Sequence, residues 1–431
     1  MKKLDIYILF DSKNQRNYPL IETKEDSVKI AINVFNLSIY DLKKELKKIN
    51  SLISISDTYS KIIKRINIIF DKRIDPLNVK SILGKLNDIL YSYYPITKEI
   101  KLYNIDQSSS NYMSEVIKYK DIVMDPNKTP KTYLEYIKLN TPSNYNIQVF
   151  NVKETNDFPL TKAVASGSVH PSYFVHISPK KVDINNKNVF LVGKGITYDS
   201  GGLNIKSQNM HYMKIDMIGS AIILSVLKLL NLDKADEKIN IHLVIPIAEN
   251  MIGNQAIKPG SVIKSYGNKL VEISDTDAEG RLCIADAIEY IQLKLLGNLD
   301  LSKCILIDTA TLTGNTNYIT SGLSSLLICN DKGLLFKDEL IKIADNIGEY
   351  VDFLKLRNEY LDLLKSPVAD IANLNHDNKA GCIIGGTFIN YFVDKRIPWI
   401  HLDLGSCTFI DKKPISYGIN LLYQFILQFK K

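Results

Sequence analysis

The chain has 431 residues, of which 45% are hydrophobic and 23% are charged, an ordinary composition for a soluble globular enzyme. A prior of ~150 residues per domain predicts two or three domains. The net charge of +7 is mild for this length, and no basic block with interleaved aromatic residues indicates nucleic-acid binding. No run approaches the ~18–20 apolar residues that a membrane span requires. We therefore expect neither a membrane nor a nucleic-acid partner.

The cysteines favour a reducing compartment. Their number is odd and no two form a CxxC pair. Most lie inside apolar runs, which predicts buried, reduced thiols. The N-terminus reaches an acid, Asp5, too early for a signal peptide, so we expect a cytoplasmic protein. The five cysteines are Cys283, Cys304, Cys329, Cys382 and Cys407.

Residues 1–120 predict a small N-terminal α/β domain. Leu4–Phe10 and Ile66–Phe70 have the pattern of strands, and Ser38–Ser51 and Asp75–Tyr94 carry apolar residues at helical spacing. The segment has no histidine, and its acids are dispersed among lysines. We therefore expect a scaffold or a surface for oligomer contacts.

Residues 121–145 predict a connecting helix. Pro126–Pro130 has the composition of a turn, and Thr129 or Thr132 can cap a helix over Tyr133–Leu139. The connector separates the N-terminal domain from a larger domain over residues 146–431.

Apolar strands alternate with helices in residues 146–431, which predicts an α/β fold with a mostly parallel or mixed sheet flanked by helices. The strands are Asn188–Val192, Ile239–Ile247, Cys304–Ile307 and Trp399–Leu402, and the helices include Ile218–Leu230, Leu282–Leu296 and Thr387–Val393. Three strands lead directly into the polar residues Lys194, Asp308 and Asp403. Ligands of open α/β sheets bind at the carboxyl ends of the strands, so we expect the functional site there.

Asp277 and Glu279 form the first candidate site. They are two residues apart, so in an extended segment both side chains face the same way. Two carboxylates held together repel each other, and a cation between them removes the repulsion. An acidic N-terminus of the helix that begins near Leu282 explains the pair equally well. Gly280 would free the backbone to turn into that helix.

Lys194, Asp199, Lys206 and Asp216 strengthen the metal hypothesis. Asp199 lies in a glycine-containing turn that allows close approach to a ligand. Asp216 precedes an apolar helix, where a capping role is an equal alternative. With Asp277 and Glu279, these acids could hold two divalent ions ~3.5–4 Å apart with an activated bridging water. A lysine ligates only when neutral, a form that burial and two nearby dications favour.

Other catalytic motifs are missing from the sequence. Gly193–Gly195 lacks the spacing of a phosphate-binding loop, and neither HExxH nor GxSxG is present. No two of the six histidines lie close together in the sequence, which argues against a histidine zinc site.

The octapeptide Asp275–Leu282 resembles the NTDAEGRL signature of the leucyl aminopeptidases of peptidase family M17. Further blocks agree in order, and the resemblance spans about residues 120 to 407. These blocks are Val192–Gly202, Met213–Met217, Glu249–Met251, Lys258–Gly260, Thr309–Gly314, Ala369–Leu374, Lys379–Gly381 and Trp399–Asp403.

The resemblance implies a dinuclear metallo-exopeptidase, in which a two-metal-activated water attacks the first peptide bond. One metal would be held by Asp199, Asp277 and Glu279, and the second by Lys194, Asp199, Asp216 and Glu279. The metals would be Zn²⁺ and/or Mn²⁺, with Mg²⁺ or Co²⁺ as alternatives. Lys206 would stabilise the oxyanion, and Arg281 would hold a bicarbonate-type anion that shuttles the proton, since a guanidinium is not a base at neutral pH.

The resemblance also implies the substrates and the assembly. Peptides would be the substrates, with leucine-like N-terminal residues preferred. The first side-chain pocket would be lined by Met210, Thr311, Leu312, Gly314 and Ala380. The family forms homohexamers, each a dimer of trimers.

Three departures from the family pattern affect specificity. Asp275 stands where the family has Asn, on the side of the leaving group, and we hypothesise that it favours a basic residue there. The stretch from Lys206 to Asp216 is one residue shorter than usual, which could displace Met210. Asn315 stands where a small residue is expected.

Two other functions remain open at this stage. A catalytically silent hexamer with a DNA-binding or structural role is the main alternative, but no expected ligand is lost, and neither is Lys206 or Arg281. A narrower enzyme for dipeptides such as cysteinylglycine is the other.

Overall fold

We analysed a computed structural model of the chain. It describes residues 2–9, 20–24, 27–33, 63–71, 74, 76–90, 99–297, 299–375, 380–405, 407–410 and 413–430. The helix expected over Ser38–Ser51 lies outside these residues.

The N-terminal part is built on a sheet for which five strands are described, in the order β2-β3-β1-β4-β5. All neighbours pair in parallel except β2 and β3, which are antiparallel. Both strands predicted in this region are confirmed, and the strong apolar spacing of residues 75–94 gives helix α1 (Pro76–Leu90). The strands are β1 (Lys2–Leu9), β2 (Leu20–Lys24), β3 (Ser27–Asn33), β4 (Ile63–Phe70) and β5 (Glu99–Tyr103).

The larger sheet is mixed, as predicted, and nine of its strands fall in the described part of the chain. Its order is β15-β14-β17-β13-β8-β10-β7-β6, with β9 paired to β10. The inner strands β17, β13, β8 and β10 run parallel. β14 is antiparallel to β17 and parallel to β15, and β7 is antiparallel to both β10 and β6. The strands are β6 (Tyr145–Asn151), β7 (Tyr173–Pro179), β8 (Lys187–Gly193), β9 (Gly195–Asp199), β10 (Ile239–Asn250), β13 (Cys304–Ala310), β14 (Ser325–Cys329), β15 (Val351–Phe353) and β17 (Trp399–Asp403).

The described residues also form two smaller sheets. β11 (Ser261–Lys264), β12 (Leu270–Ile273) and β16 (Ile371–Ala372) form a small sheet, and β18 (Phe409–Ile410) pairs with β19 (Lys413–Pro414). The β12–β16 pair is parallel. It brings the segment after Ile273 next to the segment after Ala372, a juxtaposition on which the site depends.

Helices cover the larger sheet, and every helix predicted in this region is present. The helices are α2 (Gln107–Met124), α3 (Pro130–Asn140), α4 (Pro159–Val164), α5 (Ile218–Leu232), α6 (Gly280–Tyr290), α7 (Thr316–Thr320), α8 (Leu334–Ile347), α9 (Glu359–Asp362), α10 (Gly381–Phe392) and α11 (Ile419–Phe429). A π-helical turn, Ile291–Leu295, extends α6, and a 3₁₀ segment, Met210–Ile215, precedes α5. Thr129 and Thr132 form a reciprocal capping box at the start of α3, so both proposed capping residues take part.

The registers of the parallel strands bring their carboxyl ends to one edge. Thr309 of β13 pairs with Gly193 of β8, and Ala310 pairs with Asp403 of β17. The residues that follow β8 and β13 are therefore neighbours. The backbone N–H of Lys194 donates to the carbonyl of Thr309 at 3.1 Å.

Helix α5 forms the centre of the core on one face of this sheet. The segment Met210–Leu232 is long and apolar enough to cross a membrane by length and composition alone, but 83% of its most apolar window is buried inside the fold. Such burial is typical of a core helix.

Helix α2, which the sequence pattern does not predict, carries buried charges that pair across the fold. Lys120 is fully buried and lies 2.6 Å from Asp88 of α1. Glu115, also buried, lies 2.7 Å from Lys228 of α5. These pairs join α2 both to the N-terminal region and to the core helix of the larger sheet. The domain boundaries at residues 120 and 145 stay a prediction.

All five cysteines are free and buried, which confirms that prediction.

Two histidines that are far apart in the sequence, His176 of β7 and His242 of β10, are in contact in the fold. His176 Nε2 lies 3.2 Å from His242 Nδ1, and the hydroxyl of Tyr290 lies 3.2 Å from His176 Nδ1. Burial lowers the pKa of His176 to about 4, and burial together with the neighbouring imidazole lowers the pKa of His242 to about 3.

The contact between His176 and His242 predicts that the free energy of unfolding falls in mild acid. Both folded-state pKa values lie below the ordinary value of 6.5, so the unfolded chain binds more protons between pH 6.5 and about 4. The contribution is complete above pH 6.5 and is lost as the pH falls, by about 3 kcal/mol for His176 alone. Urea unfolding at pH 8, 7, 6 and 5 measures the first part of this loss, about 2 kcal/mol for His176 alone by pH 5.

His242→Gln should flatten this pH dependence. The exposed His211 provides a matched control, because His211→Gln removes a histidine without opening the core. Equal pH dependence in the native chain and in His242→Gln would contradict the assignment.

Candidate metal centre

A cavity of about 360 Å³ opens at the carboxyl ends of β8 and β13. Most of the residues predicted for the site line it, and Glu279 lies directly behind, 1% exposed. The predicted residues that line the cavity are Lys194, Asp199, Lys206, Asp216, Asp275, Asp277, Arg281, Thr311, Leu312 and Gly314.

Met210 and Ala380 are not among the described residues that line the cavity. Met213, one turn further along the 3₁₀ segment, lines it instead, and Gly381 lines it where Ala380 was expected. Asn315, noted as an unusual residue, also lines the wall.

Asp308 and Asp403, expected at the strand ends, lie beneath the cavity and are fully buried. Asp308 accepts hydrogen bonds from Trp399 Nε1 at 2.6 Å and lies 2.5 Å from His401 Nδ1. Asp403 Oδ1 accepts from the backbone N–H groups of Leu312 and Thr313, at 3.1 and 3.3 Å. Asp403 therefore fixes the loop that forms the cavity wall.

Two lysines are each placed between two carboxylates. Lys194 Nζ lies 2.8 Å from Asp216 Oδ2 and 2.6 Å from Glu279 Oε1. Lys206 Nζ lies 2.7 Å from Asp199 Oδ2 and 2.5 Å from Asp277 Oδ1. Four acids and two ammonium groups leave a formal charge of −2 in this cluster, since −4 + 2 = −2.

The pKa values indicate that the two lysines offset only part of the negative charge of the four carboxylates. Burial, followed by the charges of Asp199 and Glu279, raises the pKa of Asp277 to about 7, against the opposing effect of Lys206. Burial also raises the pKa of Asp199 and Asp216, although the lysines oppose it. Glu279 differs, because the two lysines outweigh burial and its pKa is lowered.

The lysines are held in the charged form. Burial lowers the pKa of Lys194, but the charges of Asp216, Glu279 and Asp199 outweigh it, so the net pKa is raised. The same balance raises the pKa of Lys206.

Glycines make this packing possible at two positions. Gly201 has φ +87°, and a Cβ there would lie 2.4 Å from the carbonyl of Asn204 and 2.9 Å from Asp277 Oδ1. A Cβ on Gly280 would lie 2.5 Å from Lys194 Cε. Gly280 therefore provides space for the lysine rather than freedom for a turn, which corrects the expectation from the sequence.

Two uncharged side chains, Asn250 and Thr311, orient the acids, and only Asn250 was left without a role by the sequence. Asn250 Nδ2 donates to Asp199 Oδ1 at 2.8 Å and to the carbonyl of Thr276 at 3.0 Å. Thr311, expected in the substrate pocket, donates its hydroxyl to Asp216 Oδ1 at 2.7 Å. Asn250 lies in one of the blocks of the family pattern, so the block itself could have identified it.

The donor set fits divalent metal ions. Oxygens of Asp199, Asp277 and Glu279 lie within 4.8 Å of one another. Among the described residues, Lys194 is the one side chain that contacts the carboxylate of Glu279, at 2.6 Å from Oε1, and it also lies 2.8 Å from Asp216 Oδ2, which accepts no other hydrogen bond. Buried carboxylate oxygens with a net negative charge and few hydrogen-bond donors are the ligands that divalent ions use. Lys194 could join them only in its neutral form.

Comparison with known proteins supports the same interpretation. Residues 118–420 match the family model described as "Cytosol aminopeptidase family, catalytic domain". The "Probable cytosol aminopeptidase" of Persephonella marina is 32% identical over 314 residues, 72% of this chain and 60% of the relative.

Other relatives give similar values. The "Probable cytosol aminopeptidase" of Vesicomyosocius okutanii is 37% identical over 62% of this chain and 53% of its own length. "Leucine aminopeptidase A2, chloroplastic" of Solanum lycopersicum is 31% identical over 70% of this chain and 51% of its own. This chain therefore spans about half to two thirds of the relatives' length.

The geometry predicts specific binding of divalent metal. We expect isothermal titration with Mn²⁺ to show binding that Glu279→Gln weakens by about 10-fold or more, because a ligand in the middle of the cluster loses its charge. Glu115→Gln is the matched control, since Glu115 is equally buried and paired to a lysine outside the cavity. Equal Mn²⁺ affinity in all three proteins would contradict the site.

Proposed function

Because the chain belongs to the cytosol aminopeptidase family, we propose that it is a metal-dependent aminopeptidase that removes the N-terminal residue, leucine-like residues preferred, from peptides. The observation that carries the proposal is the convergence of four carboxylates, two charged lysines and Arg281 on one cavity. No observation favours a catalytically silent DNA-binding or structural role.

Asp199, Asp277 and Glu279 would hold one metal, and Lys194, Asp199, Asp216 and Glu279 the second. When bound, two divalent ions supply a water acidic enough to attack a carbonyl and polarise that carbonyl. The candidates are Zn²⁺ and/or Mn²⁺, with Mg²⁺ or Co²⁺ as alternatives. The acidic cavity also suits the ammonium group of a peptide N-terminus, which is the group that defines an aminopeptidase substrate.

Lys206 would stabilise negative charge on the substrate. Its side chain is 18% exposed and faces the cavity, and the surrounding carboxylates raise its pKa, so it stays charged. A preorganised cation beside a developing oxyanion contributes about 3–4 kcal/mol to transition-state stabilisation.

Arg281 would bind a bicarbonate-type anion. It is 3% exposed, and its Nε has no hydrogen-bond partner among the described residues. A small anion would satisfy this donor and could carry a proton, which a guanidinium does not exchange at neutral pH.

Three further features belong to the proposal. The apolar wall residues Met213, Leu312 and Leu374 suit an aliphatic side chain. Membership of the family predicts a homohexamer, and light scattering measures the oligomeric state directly. The cytoplasm is the proposed compartment, which five buried free thiols and the names of the relatives support.

The main prediction concerns hydrolysis of leucine p-nitroanilide with Mn²⁺ or Zn²⁺. We expect activity that a chelator abolishes, and Glu279→Ala should lose at least about 100-fold in kcat because the central ligand is removed. Glu115→Ala serves as the control for a lost buried acid. Activity that survives both the chelator and Glu279→Ala would exclude the two-metal mechanism.

A second prediction concerns the leaving group. The carboxylate of Asp275 lines the cavity and accepts a hydrogen bond from the backbone N–H of Asp277 at 2.7 Å through Oδ1. A charge pair of about 1 kcal/mol would favour Leu-Arg over Leu-Asp about fivefold in kcat/KM. Asp275→Asn should bring the ratio towards one, with neutral Leu-Gln as the reference substrate. Equal cleavage of both dipeptides, unchanged in the variant, would refute the preference.

A further inference from the structure

Asn373 is a fully buried asparagine directly after strand β16. Its Oδ1 accepts hydrogen bonds from the backbone N–H groups of Ser274 and Asp275, at 2.8 and 3.2 Å. Its Nδ2 donates to the backbone carbonyls of Asp275 and Ala278, at 2.6 and 3.2 Å. A primary amide has two acceptor positions and two donors. Both acceptor positions and both donors of the Asn373 side chain are therefore bonded to the acidic turn Ser274–Ala278.

Few side chains could replace this amide. Asp has nearly the same shape, but in place of the two donors it would present an oxygen to the carbonyls of Asp275 and Ala278. Ser is shorter and has one hydroxyl. In both cases buried backbone groups lose their partners, which is the costly way to lose a hydrogen bond.

The backbone of Asn373 also holds Arg281. The carbonyl of Asn373 accepts a hydrogen bond from Arg281 Nη1 at 2.8 Å. The Asn373 N–H donates to the carbonyl of Glu272 at 2.9 Å, which fixes this carbonyl against β12. The guanidinium and the acidic turn are thus tied to the same residue.

Three of the four carboxylates that would bind metal have other supports, and the fourth, Asp277, lies in the turn itself, where its Oδ1 contacts Lys206 Nζ at 2.5 Å. Asp199 is oriented by Asn250 and by the N–H of Gly201, at 2.8 and 2.9 Å. Asp216 is oriented by Thr311, and Glu279 contacts Lys194. None of these contacts involves Asn373.

We propose that Asn373 is the positioning residue for Arg281 and for the turn that carries Asp275 and Asp277, and that its loss lowers hydrolysis more than metal affinity. The kinetic part of this inference rests on the proposed aminopeptidase function. The structural part rests only on the hydrogen bonds described above.

Asn373→Asp and Asn373→Ser test the proposal. The matched control is Asn330→Asp, because Asn330 has the same kind of bonding in a turn away from the cavity. Its Oδ1 accepts from the N–H groups of Gly333 and Trp399, at 2.8 and 3.1 Å, and its Nδ2 donates to the carbonyl of Ile397 at 2.8 Å. The control therefore reports what the loss of a part-buried, hydrogen-bonded amide does to stability alone.

Three quantities are measured on each full-length variant: kcat and KM for leucine p-nitroanilide, the Kd for Mn²⁺ by calorimetry, and the melting temperature. We expect both Asn373 variants to lose about 10- to 100-fold in kcat while the Kd for Mn²⁺ changes by less than about threefold. They should also lose the discrimination between Leu-Arg and Leu-Asp. Asn330→Asp should lower the melting temperature and leave kcat at the native value.

A native kcat in both Asn373 variants, or a fall in kcat matched by an equal fall in Mn²⁺ affinity, would overturn the proposal. If Asn373→Asp does not fold, Asn373→Ser decides. If the native chain binds Mn²⁺ but hydrolyses no peptide, the proposed function fails instead. Crystal structures of Asn373→Ser and of the native chain then decide the positioning role, since an unmoved Arg281 guanidinium would overturn it and a displaced one would support it.

Discussion

The site depends on the placement of two ammonium groups among four buried carboxylates. Without Lys194 and Lys206, these acids would repel one another in a medium of low dielectric constant, and each would favour its neutral form. The lysines lower that cost without cancelling it, because a charge of −2 remains. The raised pKa values of Asp199, Asp216 and Asp277 reflect this remaining cost, and a bound cation would remove it.

Position in the sheet explains how distant segments meet. The parallel register of β8, β13 and β17 aligns their carboxyl ends, and the β12–β16 pair brings the acidic turn beside Asn373. Hydrogen bonds from Asn250 and Thr311 then orient Asp199 and Asp216. Lysines offset the charge of the cluster, and these neutral side chains orient two of its acids.

Much of this could be predicted from the sequence, because strands, helices and acids give local signals. Lys194, Asp199, Asp277 and Glu279 were found by motif, and they do meet. Met213 was not predicted to line the cavity. The loop between Lys206 and Asp216 is one residue shorter than in the family, and a residue count along it does not show which side chains of the 3₁₀ segment face the cavity. The contact between His176 and His242 was also missed, since pairing between strands β7 and β10 is invisible to sequence spacing. Asp308 and Asp403, noted in the sequence as polar residues of two strands, are fully buried, and the hydrogen bonds that Asp403 accepts from the loop Leu312–Thr313 could not be predicted from the sequence.

The contact between Gly280 and Lys194 limits which sequences can keep this centre. A methyl group at position 280 would lie 2.5 Å from Lys194 Cε, so the end of the lysine side chain would have to shift between its two carboxylates. A chain that retained every charged residue but had alanine at this position would look intact in a comparison of its ionisable groups. Its Lys194 side chain would nevertheless have to take another position. Position 280 therefore belongs in such a comparison beside the acids, although glycine itself has no side chain.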